Sequence, residues 1–266
     1  MINYNNALVR GLSPNFTNGL KRSIPQDPIN LSLAERQHQN YIDTLKKILP
    51  TIFEIEGDTE YPDCNFVEDT AIIVGNTAIL SILGAESRQG EERRIKSILE
   101  NIPHLEINSL TGTARMDGGD ILFTGDILFF GISERTNIEA YQQVKKILNG
   151  KVPIFPIDVE SGLHLKSMIS ILERNIIICA EVFVSTFDQF LKEHNLDKSI
   201  QIVSVPDEPA SNVLSVNRHL IIQDRFPKSE RILMELAKTY EMNVIKLDMS
   251  ELIKADGALT CGSILF

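Results

Sequence analysis

The sequence predicts a five-bladed α/β propeller, in which strand–strand–helix–strand (ββαβ) units repeat with pseudo-fivefold symmetry. Three observations predict this fold. Four segments resemble β-hairpins, each hairpin is followed by a stretch with helical spacing of apolar residues, and the helix starts recur about every 45 residues. A mixed α/β sandwich is the alternative that this pattern leaves open.

The hairpins pair runs of β-branched, aliphatic or aromatic residues across short polar turns. The turn dipeptides are Gly-Asn, Gly-Asp, Arg-Asn and Asn-Arg, which suit tight connections between antiparallel strands. The four segments are 70–82, 120–132, 167–180 and 212–222.

A helix and a further strand follow each hairpin. The helical stretches are 91–101, 137–149, 185–195 and 229–240, and the strands after them are 104–110, 152–157, 200–206 and 243–248. Asn137, Ser185 and Ser229 stand where N-caps belong, because their side-chain oxygens can accept from free backbone N–H groups.

The remaining unit of the five, the split unit, is divided between the two ends of the chain. Residues 257–266 and 5–12 supply strands, 31–49 supply a helix and 51–56 supply the last strand. Chain ends that complete one unit together would close the ring and remove exposed sheet edges. No linker or low-complexity segment divides the sequence, so we expect one domain, 1–266.

Composition narrows the classes of function. The formal net charge of −10 disfavours nucleic acid as a partner and mildly favours a cationic small substrate. No run approaches the ~20 apolar residues of a membrane helix, and the N-terminus lacks a signal-peptide pattern. Three cysteines make a disulfide framework improbable, so we expect a cytoplasmic protein.

Unusual residues cluster at one position of the repeat, just before the first strand of each unit. The clusters are 61–70, 114–120, 161–167, 207–212 and 254–261. In a closed ring, equivalent positions converge around the axis. The clusters would therefore bring together Asp63, Glu68, Asp69, Asp117, Asp120, His164 and Cys261.

Each of these residues also has an ordinary structural interpretation. Asp63 follows a proline and suits a turn, and the two glycines after Asp117 can supply positive φ angles. A single cysteine in an apolar stretch usually packs as a small hydrophobe, which is our interpretation of Cys179. The shared phase favours a functional site, because a packing cysteine has no reason to coincide with a histidine and several acids.

Together these segments resemble the dimethylarginine dimethylaminohydrolases of the guanidino-group-modifying, or pentein, superfamily. The resemblance runs nearly end to end. It lies in ALVRGL (7–12), AERQHQ (34–39), PDCNFVED (62–69), GAESR (84–88), MDGGDILFTG (116–125), GISERTN (131–137), GLHLKS (162–167) and KADGALTC (254–261). It implies a five-bladed α/β propeller that hydrolyses Nω-methylated arginine to citrulline and methylamine or dimethylamine.

The resemblance also implies roles for three catalytic residues. Cys261 would be the nucleophile, His164 the general acid and then base, and Asp117 the acid that orients His164. A thiolate is the protein nucleophile best suited to the resonance-stabilised guanidinium carbon. The thiol, the imidazole and water suffice for this reaction, so we expect neither a metal nor a cofactor.

Six further residues match positions at which the family holds its substrate. Glu68 and Asp69 match the residues at the guanidinium end. Asp63 and the backbone of Leu20 match those at the α-amino end. Arg88 and Arg135 match those at the α-carboxylate. Paired arginines suit a free carboxylate, so a free amino acid is favoured over a peptide-linked arginine.

Some alternatives remain open. Many relatives carry a second cysteine after the nucleophile, where this chain has Gly262. An arginine deiminase or an amidinotransferase on the same scaffold is the nearest rival enzyme, and a non-catalytic propeller that binds a partner is the rival of another class. The sequence leaves open whether the protein is a monomer or a homodimer.

Overall fold

The computed structural model describes residues 3–160 and 162–266, so Met1, Ile2 and Ser161, the first residue of the 161–167 cluster, lie outside the described residues. The chain forms five sheets of three strands each, one sheet per unit. The five-bladed α/β propeller predicted from the sequence is confirmed, and the α/β sandwich is excluded.

The elements follow one another in the predicted order. The split unit begins with β1 (Asn6–Arg10), α1 (Leu31–Ile48) and β2 (Thr51–Ile55). The second unit is β3 (Ala71–Val74), β4 (Thr77–Leu80), α2 (Glu92–Leu99) and β5 (Glu106–Ser109). The third unit is β6 (Ile121–Phe123), β7 (Leu128–Ile132), α3 (Ile138–Leu148) and β8 (Ile154–Asp158).

The fourth unit is β9 (Ile169–Glu173), β10 (Ile176–Ala180), α4 (Val184–Glu193) and β11 (Gln201–Val205). The fifth unit is β12 (Leu214–Val216), β13 (His219–Gln223), α5 (Pro227–Thr239) and β14 (Asn243–Leu247). The short helix α6 (Ser250–Ile253) and β15 (Ile264–Leu265) complete the chain. Among the described residues, no helix is both long and apolar enough to cross a membrane.

Both ends of the chain contribute to one sheet. β15 pairs antiparallel with β1, with Ala7 opposite Leu265, and β1 pairs parallel with β2. The other four sheets have the same pattern, an antiparallel pair of strands followed by a parallel one. The parallel pair requires a crossover connection, which is why a helix stands before the third strand of every unit.

The apolar core lies between neighbouring units. In β10, Ile176 and Ile178 pack in a cluster with the fifth unit, whereas Ile177 and Cys179 pack in a cluster with the third unit. Side chains alternate across a strand, so a strand buried on both faces needs a continuous apolar run. Cys179 therefore packs as a small hydrophobe.

A short 3-10 turn precedes the first strand of each unit, where the sequence clusters lie. We call these five segments the inner turns: Val67–Thr70, Gly118–Asp120, Leu165–Ser167, Glu208–Ser211 and Thr260–Gly262. Each contacts the next, and hydrogen bonds between Thr260 and Asn212, which follows the fourth inner turn, complete the circle. The equivalent positions of the five units therefore meet.

Of the three predicted N-caps, one is right. Asn137 caps α3, and its Oδ1 accepts from the N–H of Ala140 at 3.0 Å. Ser185 lies inside α4, which already begins at Val184. Ser229 lies inside α5, because Pro227 has the fixed φ that suits the first helical position and starts the helix earlier.

We expect Asn137→Ala to lower the free energy of unfolding by about 1–2 kcal/mol, because it removes a helix cap. The same Oδ1 also accepts from the N–H of Arg115 at 3.0 Å. Urea denaturation followed by circular dichroism measures the change. Ser185→Ala is the matched control, since Ser185 is an exposed helical residue, and its stability should stay near that of wild type. Equal losses in both variants would contradict this account.

Candidate active site

A cavity of about 220 Å³ opens on one side of the inner turns. Eight of the nine residues that the sequence singled out for the site line this cavity. They are Leu20, Asp63, Asp69, Arg88, Asp117, Arg135, His164 and Cys261. The fold thus gathers residues from the first tenth of the chain to its last turn around one space.

His164 and Asp117 form the most direct contact within the cavity. Nε2 of His164 lies 3.0 Å from Oδ2 of Asp117, and both side chains are buried. Oδ1 of Asp117 accepts from the N–H of Gly84 at 2.9 Å, which fixes the carboxylate. The imidazole packs against Gly119, where a Cβ would approach Nδ1 to 2.6 Å, so only glycine fits beside this ring.

The charge of His164 is set by the acids around it. Burial alone would lower the pKa of His164, but the negative charges of Asp69, Asp117 and Asp120 outweigh burial and raise this pKa to about 9. Asp120 is itself fixed, because it accepts from the N–H of Leu165 and from the hydroxyl of Ser133. The imidazole is therefore an imidazolium at neutral pH, with a proton available for donation.

Asp69 is held by a buried cation. Nη1 of Arg88 lies 2.6 Å from Oδ2 of Asp69, and the N–H of Gly119 donates to Oδ1 at 2.9 Å. Burial would raise the pKa of Asp69, but the positive charges of His164 and Arg88 together lower it. This carboxylate remains ionised in the wall of the cavity, where it can accept from a cationic group.

Arg88 is more constrained than the sequence indicated. Four of its five N–H groups donate, to Asp69, to the backbone oxygen of Phe66 and twice to Glu91. Glu91 is buried, and sequence reasoning missed it, although its spacing of three residues from Arg88 is typical of a helical ion pair. One N–H of Nη1 is left for a further acceptor.

Arg135 is freer. Its side chain keeps 21% of its exposure, and its Nη1 lies 3.9 Å from Oδ2 of Asp117. Gly84 packs against the backbone of Arg135, and a Cβ on Gly84 would approach the Arg135 oxygen to 2.4 Å. Arg135 is therefore anchored through its main chain while its guanidinium faces the cavity with room to bind an anion.

Asp63 and Leu20 lie together on another part of the wall. The N–H of Leu20 donates to both carboxylate oxygens of Asp63 at 3.1 Å. Burial raises the pKa of Asp63, although the positive charge of Arg88 opposes this rise. The segment that carries Leu20 also brings Lys21 and Arg22 to the cavity, which sequence reasoning did not assign.

Cys261 is half-buried and its thiol is neutral in the unliganded protein. Burial raises the pKa of Cys261 to about 12, and the charges of Glu68 and Asp69 act in the same direction. The N–H of Ala258 donates to Sγ at 3.4 Å and partly offsets this effect. A thiolate at this position needs an additional positive charge nearby.

Glu68 differs from the other site residues. The sequence placed it beside the guanidinium with Asp69, but its carboxylate lines a second cavity, of about 130 Å³. Oε1 is held by Nζ of Lys166 at 2.5 Å, and Oε2 by the hydroxyl of Thr260 at 2.8 Å. Neighbouring residues of one short turn thus point their side chains into different spaces.

Asp69, Asp117 and His164 could also hold a cation. Their ligand atoms lie within 4.8 Å of one another, and all three side chains are buried. Their oxygen and nitrogen donors suit several divalent metals. Cys261 is not a member of this group.

Comparisons with known proteins identify the relatives of this chain. Residues 15–263 match the model of a family described as N,N dimethylarginine dimethylhydrolase, eukaryotic. An N(G),N(G)-dimethylarginine dimethylaminohydrolase from Pseudomonas aeruginosa is 31% identical over 242 residues, which are 88% of this chain and 88% of that protein.

Solved structures give the same result. The Pseudomonas aeruginosa dimethylarginine dimethylaminohydrolase, as a Cys→Ser mutant complexed with citrulline, superposes with a TM-score of 0.89 at 28% identity over the full length of both chains. A His→Gly variant of a dimethylarginine dimethylaminohydrolase, solved as an adduct with S-methyl-L-thiocitrulline, has a TM-score of 0.88 at 28% identity. It covers 99% of this chain and 100% of that one.

We expect Asp117→Asn to lower the pKa of His164 from about 9 toward its usual value near 6.5, because one of the charges that stabilise the imidazolium is lost. An NMR titration of the His164 ring measures this pKa. Asp126→Asn, which removes an exposed acid paired with Arg174, is the control and should leave it unchanged.

The raised pKa of His164 also makes the free energy of unfolding depend on pH. A raised pKa in the folded state contributes stability that is fully present below the unfolded value near 6.5 and is lost as the pH rises through about 9. The deficit in unfolding free energy of Asp117→Asn should therefore shrink across this range. A pKa of His164 that stays the same in both variants would refute the assignment.

Proposed function

We propose that this chain, which belongs to the dimethylarginine dimethylaminohydrolase family, hydrolyses Nω-methylated L-arginine to L-citrulline and methylamine or dimethylamine. The observation that carries the proposal is the convergence of Cys261, His164, Asp117 and Asp69 on one cavity. The whole chain, 1–266, acts as a single catalytic domain whose last unit is closed by both termini.

The charges of the cavity suit the two ends of an arginine-like molecule. Asp69 is ionised and accepts the N–H groups of the guanidinium through charge-assisted hydrogen bonds. Arg135, with its exposed guanidinium, binds the α-carboxylate, and the remaining N–H of Arg88 assists. Asp63 and the backbone at Leu20 bind the α-amino group, which places a free amino acid in the site.

The first chemical step is attack by sulfur. The bound guanidinium supplies the positive charge that lowers the pKa of Cys261, the thiol proton passes to solvent, and substrate and thiolate appear in the site together. Sγ attacks the guanidinium carbon and forms a tetrahedral adduct. His164 gives its proton to the methylated nitrogen, the C–N bond breaks, and the neutral amine leaves. A positively charged thiouronium remains on Cys261.

The second step returns the enzyme to its starting state. His164, now neutral, accepts a proton from water as the water attacks the thiouronium carbon. The C–S bond breaks with its electron pair passing to Sγ, the hydroxyl proton leaves the carbon centre as citrulline forms, and Sγ takes up a proton to become the neutral thiol again. Asp117 holds Nε2 throughout and stabilises the imidazolium form, which is how one ring serves as acid and then as base.

Glu68 belongs to the guanidinium end of the site in a less direct way. Both of its oxygens are engaged by Lys166 and Thr260, so it acts on the reacting groups through its charge and through its neighbour Asp69. The reaction uses no metal or cofactor, since the thiol, the imidazole and water account for each proton and electron pair. We also propose a cytoplasmic setting, in which the thiol of Cys261 stays reduced.

An assay of released amine tests the proposal. Incubation with asymmetric dimethylarginine should release dimethylamine, and monomethylarginine should release methylamine, each with an equal amount of citrulline. Cys261→Ser should reduce turnover at least about 10³-fold, because a hydroxyl is a far weaker nucleophile toward this carbon. Cys179→Ala, a core variant outside the cavity, serves as the control and should retain turnover.

Three results would contradict the proposal. Ammonia released from unmethylated arginine, with no amine from the methylated substrates, would indicate an arginine deiminase. Undiminished activity of Cys261→Ser would exclude a covalent route through sulfur. Absence of turnover on every arginine derivative would favour a non-catalytic binding protein.

A further inference from the structure

The hydrogen bonds around Glu68 extend across the propeller axis. Glu68 accepts from Lys166 at 2.5 Å and from the hydroxyl of Thr260 at 2.8 Å. Asn212 donates to the Lys166 backbone oxygen at 2.9 Å, and its Oδ1 accepts from the N–H of Thr260 at 3.0 Å. The side chains of Glu68, Lys166, Thr260 and Asn212, with main-chain groups of Lys166 and Thr260, thus form one connected hydrogen-bond network.

Three members of this network are sequence neighbours of residues in the cavity. Glu68 precedes Asp69, and Thr260 precedes Cys261. Lys166 follows His164 by two positions. The three inner turns that present the acid, the imidazole and the thiol are therefore connected from behind, on the side of the second cavity, which Glu68, Lys166 and Thr260 line.

We propose that Lys166 is a positioning residue for Cys261. Lys166 neutralises Glu68 beneath the thiol and holds the inner turn that carries Cys261 against the inner turn that follows His164. This inference rests on the proposed function for its catalytic meaning. Lys166 faces the second cavity, so it acts through Glu68 and touches no substrate.

The electrostatic part of the argument follows from the charges around Sγ. Burial, then Glu68, then Asp69 raise the pKa of Cys261, and Lys166 acts against them. Without Lys166, an ionised Glu68 would oppose thiolate formation with no cation beside it to compensate. Glu68, Asp69 and Lys166 act directly on the pKa of Cys261, and Tyr41 faces it from α1. The other charged groups that line the cavity with Cys261 are Lys21, Arg22, Asp63, Arg88, Asp117, Glu134, Arg135, Glu160, His164 and Asp256, and all of them stay unaltered in the variants below.

Tyr41 contributes no charge to this balance. Its hydroxyl is hydrogen-bonded to that of Ser263 at 2.7 Å, and burial raises its pKa far above its usual value. Neither His164 nor Asp69 is altered in any variant below, so the differences among the variants arise at Glu68 and Lys166. The pair formed by Glu68 and Lys166 is therefore the adjustable part of the field at Sγ.

The test measures how fast iodoacetamide alkylates Cys261, since the thiolate is the form that reacts. Peptide mass spectrometry assigns the label, and Cys64 and Cys179, both fully buried, serve as internal references. The reaction is run at about pH 9.5, above the range of about 8–9 that a buried glutamate can reach, so that Glu68 is ionised in every variant that retains it.

The expected changes in alkylation rate, relative to wild type, are opposite in the two single variants. Removing one neighbouring charge changes the amount of thiolate about 10- to 1000-fold, and the opposing change in nucleophilicity leaves a rate change of about tenfold. Lys166→Met should slow alkylation about tenfold, and Glu68→Gln should accelerate it by a similar factor. The double variant and Lys166→Arg should both stay within about threefold of wild type.

A purely structural role would give a different pattern. If Lys166 only supported the turn, both single variants would loosen it, and alkylation would change in the same direction in both. That result, or an unchanged rate in Lys166→Met, overturns the proposal. If circular dichroism shows that Lys166→Met does not fold, Glu68→Gln decides alone, and a rate that does not rise overturns the proposal.

The readout is independent of the proposed substrate. Iodoacetamide reports on the thiol of the free protein, whereas amine release reports on methylarginine hydrolysis. A chain that shows the predicted alkylation rates but releases no amine would refute the proposed function and leave the role of Lys166 at Cys261 standing.

Discussion

The site depends on a closed ring of hydrogen bonds among the five inner turns. The N–H of Gly119 donates to Asp69, the N–H of Leu165 donates to Asp120, and the hydroxyl of Ser211 donates to the oxygen of Ser167. Asn212 and Thr260 continue the ring, and the hydroxyl of Thr260 returns to Glu68. Buried polar groups are costly unless paired, so the ring can form only when all five units have assembled. Folding and the assembly of the site are then one event.

Because the ring is buried, burial strongly affects the pKa values of the ionisable groups at the site. Asp69, Asp117 and Asp120 lie around the buried His164, where the effect of their combined charge exceeds the cost of burying an imidazolium. Burial likewise raises the pKa of Cys261 to about 12. Under the proposed function, the thiol becomes nucleophilic only when a cationic substrate lies beside it.

Much of this was predictable from the sequence, because the propeller repeats one physical unit. His164 and Asp117 are 47 positions apart, and their contact follows from their equivalent places in adjacent units. The split unit followed from strand patterns at both chain ends. What the sequence could not give is side-chain direction within a turn: Glu68 and Asp69 are neighbours, yet they line different cavities. The partner of Arg88, Glu91, and the early start of α4 before Ser185 likewise depend on packing that spacing does not encode.

The central claim is that a sulfur at the end of the chain forms a bond to the guanidinium carbon under the control of an imidazole from the middle of it. Mass spectrometry of the protein mixed with asymmetric dimethylarginine and quenched in acid tests this claim most directly. We expect a covalent adduct on the peptide that contains Cys261, with the mass of the substrate less dimethylamine. Steady turnover with no adduct at Cys261 under the same quench, or an adduct on another residue, would contradict it.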